Sequence, residues 1–428
     1  MQMISKMTEK RKAIIIGAGP TGLAAALRLH QQTDIEVTLY ELRSEPTTLG
    51  GAIGILPNGL RLLHRLGVYE KAVARGFSSS NMTLHSLQGN IVAQQDYVGW
   101  AREKTGFGYL RIKRTDLVDV LLEAVQQMNI PIHFNTRLTT IEESDLSVKV
   151  VFEDGSTDTA DMLIGCDGIH SFVRRTYVDP EKTLEYSGMS GLGSLIPTSA
   201  LSPTTTDQVT GLDVTLTEDG MLAVNPCTAN KGELFCFFSK EAALPESGGG
   251  RDGWEVHRKE EVDGFKSTLL RSLENARGEW GTALREIVNN ISVVKFYPVY
   301  RLPLGGIWSK GRCVLVGDAA HAMSPHAGQG VSMGLEDVFL LSRLLEDHKR
   351  SLDEVFDKYD HIRRPRVNEI FKLAAQNAEV RRKSSAWGLW FKELKVSVGM
   401  CLAWALGMEK TGLRQAHLVY DIDAVELA

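Results

Sequence analysis

Apolar and polar positions follow two periods along the chain, and the switches between them mark its elements. Lys12 to Ile16 is a short apolar run that stops at Gly17-Ala18-Gly19-Pro20-Thr21-Gly22, after which Leu23, Ala26, Leu27 and Leu29 recur at helical spacing. Ile35, Val37 and Leu39 then alternate with polar residues up to Glu41, predicting a strand, and a helix is predicted from Asn58 to about Leu66, closed by Gly67. The first seventy residues therefore read as a βαβ unit. Further on, Ser147–Phe152 with a turn at Asp154-Gly155 predicts a hairpin arm. Strand-like runs follow at Gly188–Ile196, Val209–Thr215, Met221–Val224 and Glu233–Phe238, with Asp219-Gly220 as a hairpin turn. An exposed loop is expected at Ser247–Gly250, then helices over Trp254–Arg277 and Trp280–Asn289. From Arg312 the pattern returns to a buried strand, Cys313–Val316, leading into Gly317-Asp318 and a helix, and the tail from about Asp353 is helical.

Composition narrows the function. At roughly 150 residues per domain, a 428-residue chain implies two or three domains with ample core. Acidic residues outnumber basic ones, 53 to 48, which argues against non-specific nucleic-acid binding. The cysteines (Cys166, Cys227, Cys236, Cys313, Cys401) are odd in number and contain no CxxC pair, so they read as reduced, buried thiols of a cytoplasmic protein without structural zinc. Residues 1–12 are polar and basic and do not resemble a secretory signal. Val396–Met408 is almost uncharged but too short to span a bilayer, which takes about 20 residues. With Trp387, Trp390 and Phe391 before it, segment 387–408 reads as a buried or lid helix or as a weak membrane contact.

Three motifs carry chemistry. In the first, Gly17 allows the tight turn, Gly19 leaves room for a pyrophosphate, and Gly22 lets the helix pack on the sheet. The helix N-terminus offers free N–H groups to phosphate. Glu41, 24 residues after Gly17, stands where a ribose-binding acid is expected. The second, Asp161 to Gly168 followed by His170-Ser171 and Val173-Arg174-Arg175, is an apolar strand ending in Asp167-Gly168. By itself it reads as a strand-to-turn junction. The third runs from Gly311 through Gly317-Asp318 and His321 to Pro325-His326-Ala327-Gly328-Gln329-Gly330. It puts a carboxylate at a strand's carboxyl end and opens a helix at Gly330.

In this order and spacing the three motifs resemble the single-component (class A) FAD-dependent monooxygenases, the aromatic hydroxylases that include salicylate hydroxylase. Gly51-Ala52-Ile53-Gly54-Ile55-Leu56-Pro57-Asn58, Lys113-Arg114-Thr115-Asp116-Leu117, Trp308 and Tyr359 with Arg363-Arg364-Pro365-Arg366 are similar to that family too, although the family more often has Gly where Ala52 stands. The resemblance covers nearly the whole chain. It implies an α/β fold (α+β overall): a Rossmann-like FAD-binding domain in three parts (1–75, 111–180, 298–365), a β insertion (76–110), an interleaved substrate sheet with helices (181–297) and C-terminal helices (366–428).

It also implies site roles. Gly17, Gly19, Thr21, Gly22, Glu41 and Arg43 would hold the ADP part of FAD, and Arg114 the ribose or pyrophosphate. Asp167 would serve FAD and NAD(P)H, and Asp318 the ribityl and pyrophosphate end. Gly51, Ala52, Pro325, Gly328, Gly330 and Val331 would border the isoalloxazine ring. NADPH or NADH would reduce the flavin from transient binding, since no second fingerprint is present. A flavin 4a-hydroperoxide would then pass one oxygen atom from dioxygen to an aromatic or alkaloid- or polyketide-like molecule. His326 is a weak candidate for a catalytic group, behind it Tyr186, Tyr297, Tyr300 and Arg301. Epoxidation, Baeyer–Villiger insertion, oxidation without oxygen transfer, and a flavin-binding interaction protein without turnover stay open. The family is usually monomeric or homodimeric.

Overall fold

A computed structural model describes residues 10–32, 34–45, 51–242, 254–256 and 259–427. The loop expected at Ser247–Gly250 and most of the basic segment 1–12 lie outside these residues. One sheet has the strand order Ser309–Lys310, Cys313–Leu315, Met162–Gly165, Lys12–Ile16, Glu36–Tyr40, Ile132–His133. All pairings are parallel except that of the Ser309–Lys310 edge. Ile15 stands opposite Ile164 and Leu39, and Ile164 opposite Val314, so four strands run in step and their carboxyl ends share one edge. The central strands Ala13–Ile16, Met162–Gly165 and Cys313–Leu315 are apolar because the sheet is buried between the helices and the hairpin arm, whose Val148, Val150 and Phe152 join the same core. The helix Pro20–Gln32 packs against Arg114–Gln127 and Gly330–Leu345. The hairpin arm is a three-stranded antiparallel sheet, Leu138–Glu143, Val148–Phe152 and Thr157–Ala160, with Gly155 at φ +82° in its turn.

The second large sheet has eight strands in the order Trp254–Val256, Val294–Arg301, Glu185–Pro197, Glu233–Glu241, Gly220–Pro226, Leu212–Leu216, Asn81–His85, Ile91–Asp96. Its last two strands come from the early 76–110 segment, and Asn81–His85 joins Leu212–Leu216 in parallel. One face carries Leu192, Leu222, Val224, Cys236 and Phe238 against the helices Lys259–Ser272 and Gly278–Asn289. By strand alternation the other face carries Gly191, Gly193, Asn225, Phe235, Phe237 and Tyr297. A small sheet of Ala52–Ile55, Leu110–Lys113 and Phe77–Ser78 sits beside this second face.

The sequence expectations need two corrections here. Trp254 does not open a helix: Trp254–Val256 is an edge strand on Val294–Arg301, and the helix begins at Lys259. The bulky Trp and Val suit a pleated surface better than a helix start. Cys401 is exposed, unlike the other four cysteines, because it lies on the outward side of the helix Ala386–Ala405. That helix packs Leu389, Val396 and Met400 onto Leu84, Val214 and Ala223, and leaves Trp387, Phe391 and Leu402 in solvent, with Leu406 exposed just beyond its end. Among the described residues no helix is long and apolar enough to cross a membrane.

Candidate active site and cofactor cleft

The parallel strands deliver the motif residues to one edge. Glu41 stands one residue beyond Tyr40, Asp167 two beyond Gly165 and Asp318 three beyond Leu315, on parallel strands in step, with Lys12–Ile16 between the first two. Strands about 4.8 Å apart place the three acids along a groove of roughly 15 Å. The glycines divide their work as the motif predicts. A Cβ on Gly22 would lie 1.9 Å from the Gly17 carbonyl oxygen, and one on Gly17 2.6 Å from that of Cys166. A Cβ on Gly19 would meet nothing within 4 Å. The backbone at Gly19 is therefore open to a ligand, while Gly17 and Gly22 are held by packing.

Several predicted residues already have local partners. Glu41 accepts hydrogen bonds from the Ala18 N–H (2.8 Å) and the Arg43 N–H (3.0 Å), which fixes the loop's shape. The Arg43 and Arg114 side chains are exposed, and the Arg114 N–H donates to Gly51 O (2.9 Å). The Thr21 hydroxyl packs against Gly317 and Gly334. Asp167 accepts from the Ser171 hydroxyl, the Phe172 N–H (2.6 Å) and the Val173 N–H (3.1 Å), capping the turn that follows. Burial raises its pKa, opposed by those hydrogen bonds. Asp318 is exposed to the groove. Buried Arg174 donates to Ile169 O (2.7 Å) and Ala319 O (2.9 Å), tying the second motif to the third.

Pro325–Ala327 form a 3-10 turn, Gly328 takes φ +64°, and the helix Gly330–Leu345 begins. A Cβ on Gly330 would meet nothing, and one on Gly328 only Leu56, at 3.7 Å. His326 is buried, its Nε2 has no partner, and burial aided by Arg381 pushes its pKa down to about 3. It is neutral at physiological pH and a poor proton acceptor. Gly51 faces the eight-stranded sheet: a Cβ there would lie 3.0 Å from Phe235 Cζ and 3.2 Å from Tyr297 Oη. Of the weaker candidates, Tyr297 thus lines this wall, Tyr186 bonds Ser190 (2.8 Å) away from it, and Arg301 pairs with Glu185 (3.4 Å).

Sequence reasoning missed a buried polar cluster beneath the cleft. Arg363 donates to Asp337 (2.6 Å) and Glu336 (2.7 Å), and Asp337 also receives the Gly317 N–H (2.8 Å) and pairs with His321 Nε2 (2.6 Å). Asn58 donates to Glu336 (2.8 Å) and Gln329 (2.9 Å). Burial would raise Asp337, but the charges of His321 and Arg363 hold it at about 2. The cluster therefore grips the helix start at Asn58 and the turns at Gly317 and Gln329. Its sequence signal was an acid pair, Glu336-Asp337, inside an otherwise apolar helix.

Known proteins share this fold. A family model described as an FAD binding domain matches residues 10–243 and 305–374. The chain is 27% identical over 386 residues to 6-hydroxynicotinate 3-monooxygenase of Pseudomonas fluorescens, covering 88% of this chain and 93% of that one. It is also 27% identical over 393 residues to a salicylate hydroxylase of Pseudomonas putida, covering 86% and 85%. The fold superposes on Klebsiella pneumoniae HpxO complexed with FAD and uric acid with a TM-score of 0.75, at 24% identity, over 91% of this chain and 96% of that one. The chain belongs to the FAD binding domain family, as one of its class A FAD-dependent monooxygenases.

Proposed function

We propose that Gly17, Gly19, Thr21, Gly22, Glu41 and Arg43 hold the ADP half of FAD, that Arg114, Asp167 and Asp318 serve its pyrophosphate and ribityl middle, and that Gly51, Ala52, Pro325, Gly328, Gly330 and Val331 border its ring. The substrate, an electron-rich aromatic or an alkaloid- or polyketide-like molecule, lies between that ring and the Phe235–Tyr297 wall. One observation carries this reading: three acids share one sheet edge, next to backbone at Gly19 and Gly330 that has open space. These residues fit the cofactor, since the cradle is one that side chains would fill.

Bound FAD supplies hydride acceptance from NAD(P)H and reactivity toward dioxygen. The chain supplies placement. The N–H groups of Gly330, Val331 and Ser332 precede the first intrahelical bond, Met333 N–H to Gln329 O (2.8 Å), and with the helix dipole favour negative charge above them. Phe235 is buried against Gly51, which supports a water-poor reaction space. The test is a screen of the FAD-loaded protein for aromatic compounds that accelerate NADPH oxidation, with product masses measured under labelled dioxygen. A protein that stays colourless after saturation with FAD refutes the reading. A labelled ester, an epoxide or an unlabelled oxidised product replaces hydroxylation with the corresponding alternative.

We infer further that the outer side of Ala386–Ala405 touches a membrane surface. Trp387, Trp390, Phe391, Leu402 and Leu406 are exposed there, and residues 382–414 carry six basic against two acidic side chains in a chain of net charge −5. Aromatic residues beside basic ones suit an anionic interface.

A further inference from the structure

The inner side of the helix Ala386–Ala405 borders the chamber that the Phe235–Tyr297 wall encloses. Its Leu389, Val396 and Met400 share one apolar cluster with Met221, Ala223 and Leu84. Leu222 and Val224 point into the core behind the sheet, so alternation turns Met221 and Ala223 to the chamber side. Ala223 stands directly opposite Phe237, as Asn225 stands opposite Phe235. The helix therefore covers the chamber face from one strand beyond Phe235 and closes that side.

Its attachment is polar and wet. Residues 380–385 join it to the helix Leu352–Glu379. There Arg382 pairs with Glu241 at 3.1 Å and Lys383 with Asp219 at 3.8 Å, and all four side chains touch solvent. The Ser384 N–H donates to Glu218 O at 2.8 Å, and Arg382 also pairs with Glu379 at 2.9 Å. Glu241 ends the strand that carries Phe235, and Asp219 stands in the turn before the strand that carries Ala223. Just ahead of the joint, Asn377 donates to His326 O at 3.1 Å, in the loop placed at the flavin ring.

Exposed ion pairs are weak, and an anionic lipid surface attracts each Lys or Arg about as strongly. Arg382 and Lys383 directly precede the exposed Trp387, Trp390 and Phe391, so a surface that takes up those rings also competes for the two cations. In water, lifting the helix uncovers Met221, Ala223 and Leu84 at a hydrophobic cost. Against acyl chains, which are as apolar as leucine, the same groups lose little.

We propose that Ala386–Ala405 is a membrane-operated door to the chamber. An anionic bilayer draws Arg382 and Lys383 from Glu241 and Asp219, the helix moves off Met221 and Ala223, and an uncharged, lipophilic ring compound passes from the acyl chains to the flavin. This rests on the membrane contact and the cofactor placement inferred above, and adds to them a latch, a route and a substrate apolar enough to partition into lipid.

The test uses the whole chain loaded with FAD and follows binding of 1-naphthol and of 3-methylindole by stopped flow, read from the flavin absorbance without turnover. Phosphatidylserine vesicles are compared with phosphatidylcholine vesicles at equal lipid, so that partitioning of the probe cancels. Phosphatidylserine is expected to speed binding of at least one probe about 2- to 30-fold, the range set by two exposed ion pairs. Glu241→Gln combined with Asp219→Asn gives a similar gain without vesicles. Trp387, Trp390 and Phe391 changed together to Ser keep the slow rate with either lipid. The proposal is overturned if a parent that sediments with phosphatidylserine vesicles binds the probes no faster there, if neither probe reaches the flavin, or if the double variant stays slow. The parent comparison stands even if a variant does not fold. A yellow protein that ignores phosphatidylserine vesicles sinks the membrane contact beneath the proposal, whereas one that takes up no FAD sinks the cofactor reading.

Discussion

Replacing Arg363 by Met removes a wholly buried guanidinium that bonds Asp337 at 2.6 Å and Glu336 at 2.7 Å. Asp337 keeps the Gly317 N–H and His321, while Glu336 keeps Asn58 and a longer contact with Arg366 at 3.4 Å. Taking one partner from a buried ion pair costs about 3–5 kcal/mol, against the roughly 5–15 kcal/mol that holds a domain folded. The loss depends on pH in a definite direction. In the parent chain, the charges of His321 and Arg363 overcome burial and hold Asp337 at about 2 against an ordinary 3.8. A folded pKa below the unfolded one adds stability above the unfolded value, and this is lost as pH falls toward the folded value. For Asp337 that amounts to roughly 2 kcal/mol. Without Arg363, burial is less opposed and the carboxyl rises. The deficit of the variant is therefore largest near neutral pH and shrinks toward about pH 4. Urea unfolding of the apoprotein between about pH 4 and pH 8 reads this directly, with FAD affinity measured in parallel because Asp337 and Glu336, which hold Gly317 and Asn58, lose the fork that fixes them. Arg363→Lys, which keeps charge but not the fork, falls between. A neutral-pH deficit under about 1 kcal/mol, or one that grows as pH falls, refutes the reasoning.

Other outcomes follow from the same geometry. Gly19→Ala keeps stability within about 0.5 kcal/mol but weakens FAD binding, whereas Gly22→Ala, whose Cβ would sit 1.9 Å from the Gly17 carbonyl oxygen, unfolds more readily. Thermal melts with and without FAD separate the two. Because His326 is neutral with a pKa of about 3, His326→Gln leaves the pH profile of kcat/KM unchanged between about pH 6 and 9. A lost basic or acidic limb counts against that assignment. Changing Trp387, Trp390 and Phe391 to Ser lowers co-sedimentation with phosphatidylserine vesicles without altering FAD content, and equal sedimentation of parent and variant removes the membrane inference.

Local chemistry made much of the cleft legible in advance. The turn at Gly17 to Gly22, the acid at Glu41 and the strand ends before Asp167 and Asp318 are short-range patterns, and adjacent parallel strands need only agree in step to bring them together. Long-range pairing left no such mark. Nothing in Asn81–His85 announces a partner at Leu212–Leu216, more than a hundred residues on. The cluster under the cleft hid for a similar reason. Glu336 and Asp337 look like two charges on an amphipathic helix until Arg363 and Asn58 arrive from other elements. The low proton affinity of His326 comes from burial beside Arg381, which adjacency in sequence does not encode.

The parallel sheet is finished only by Cys313–Leu315, three hundred residues after Lys12–Ile16. On a ribosome adding about 5–20 residues per second, Met162–Gly165, about 150 residues earlier, waits roughly 8–30 s for that neighbour. The nascent nucleotide half spends this interval with an apolar edge uncovered, so chaperone dependence should rise with any pause in translation before residue 316, even though the finished enzyme is no less stable.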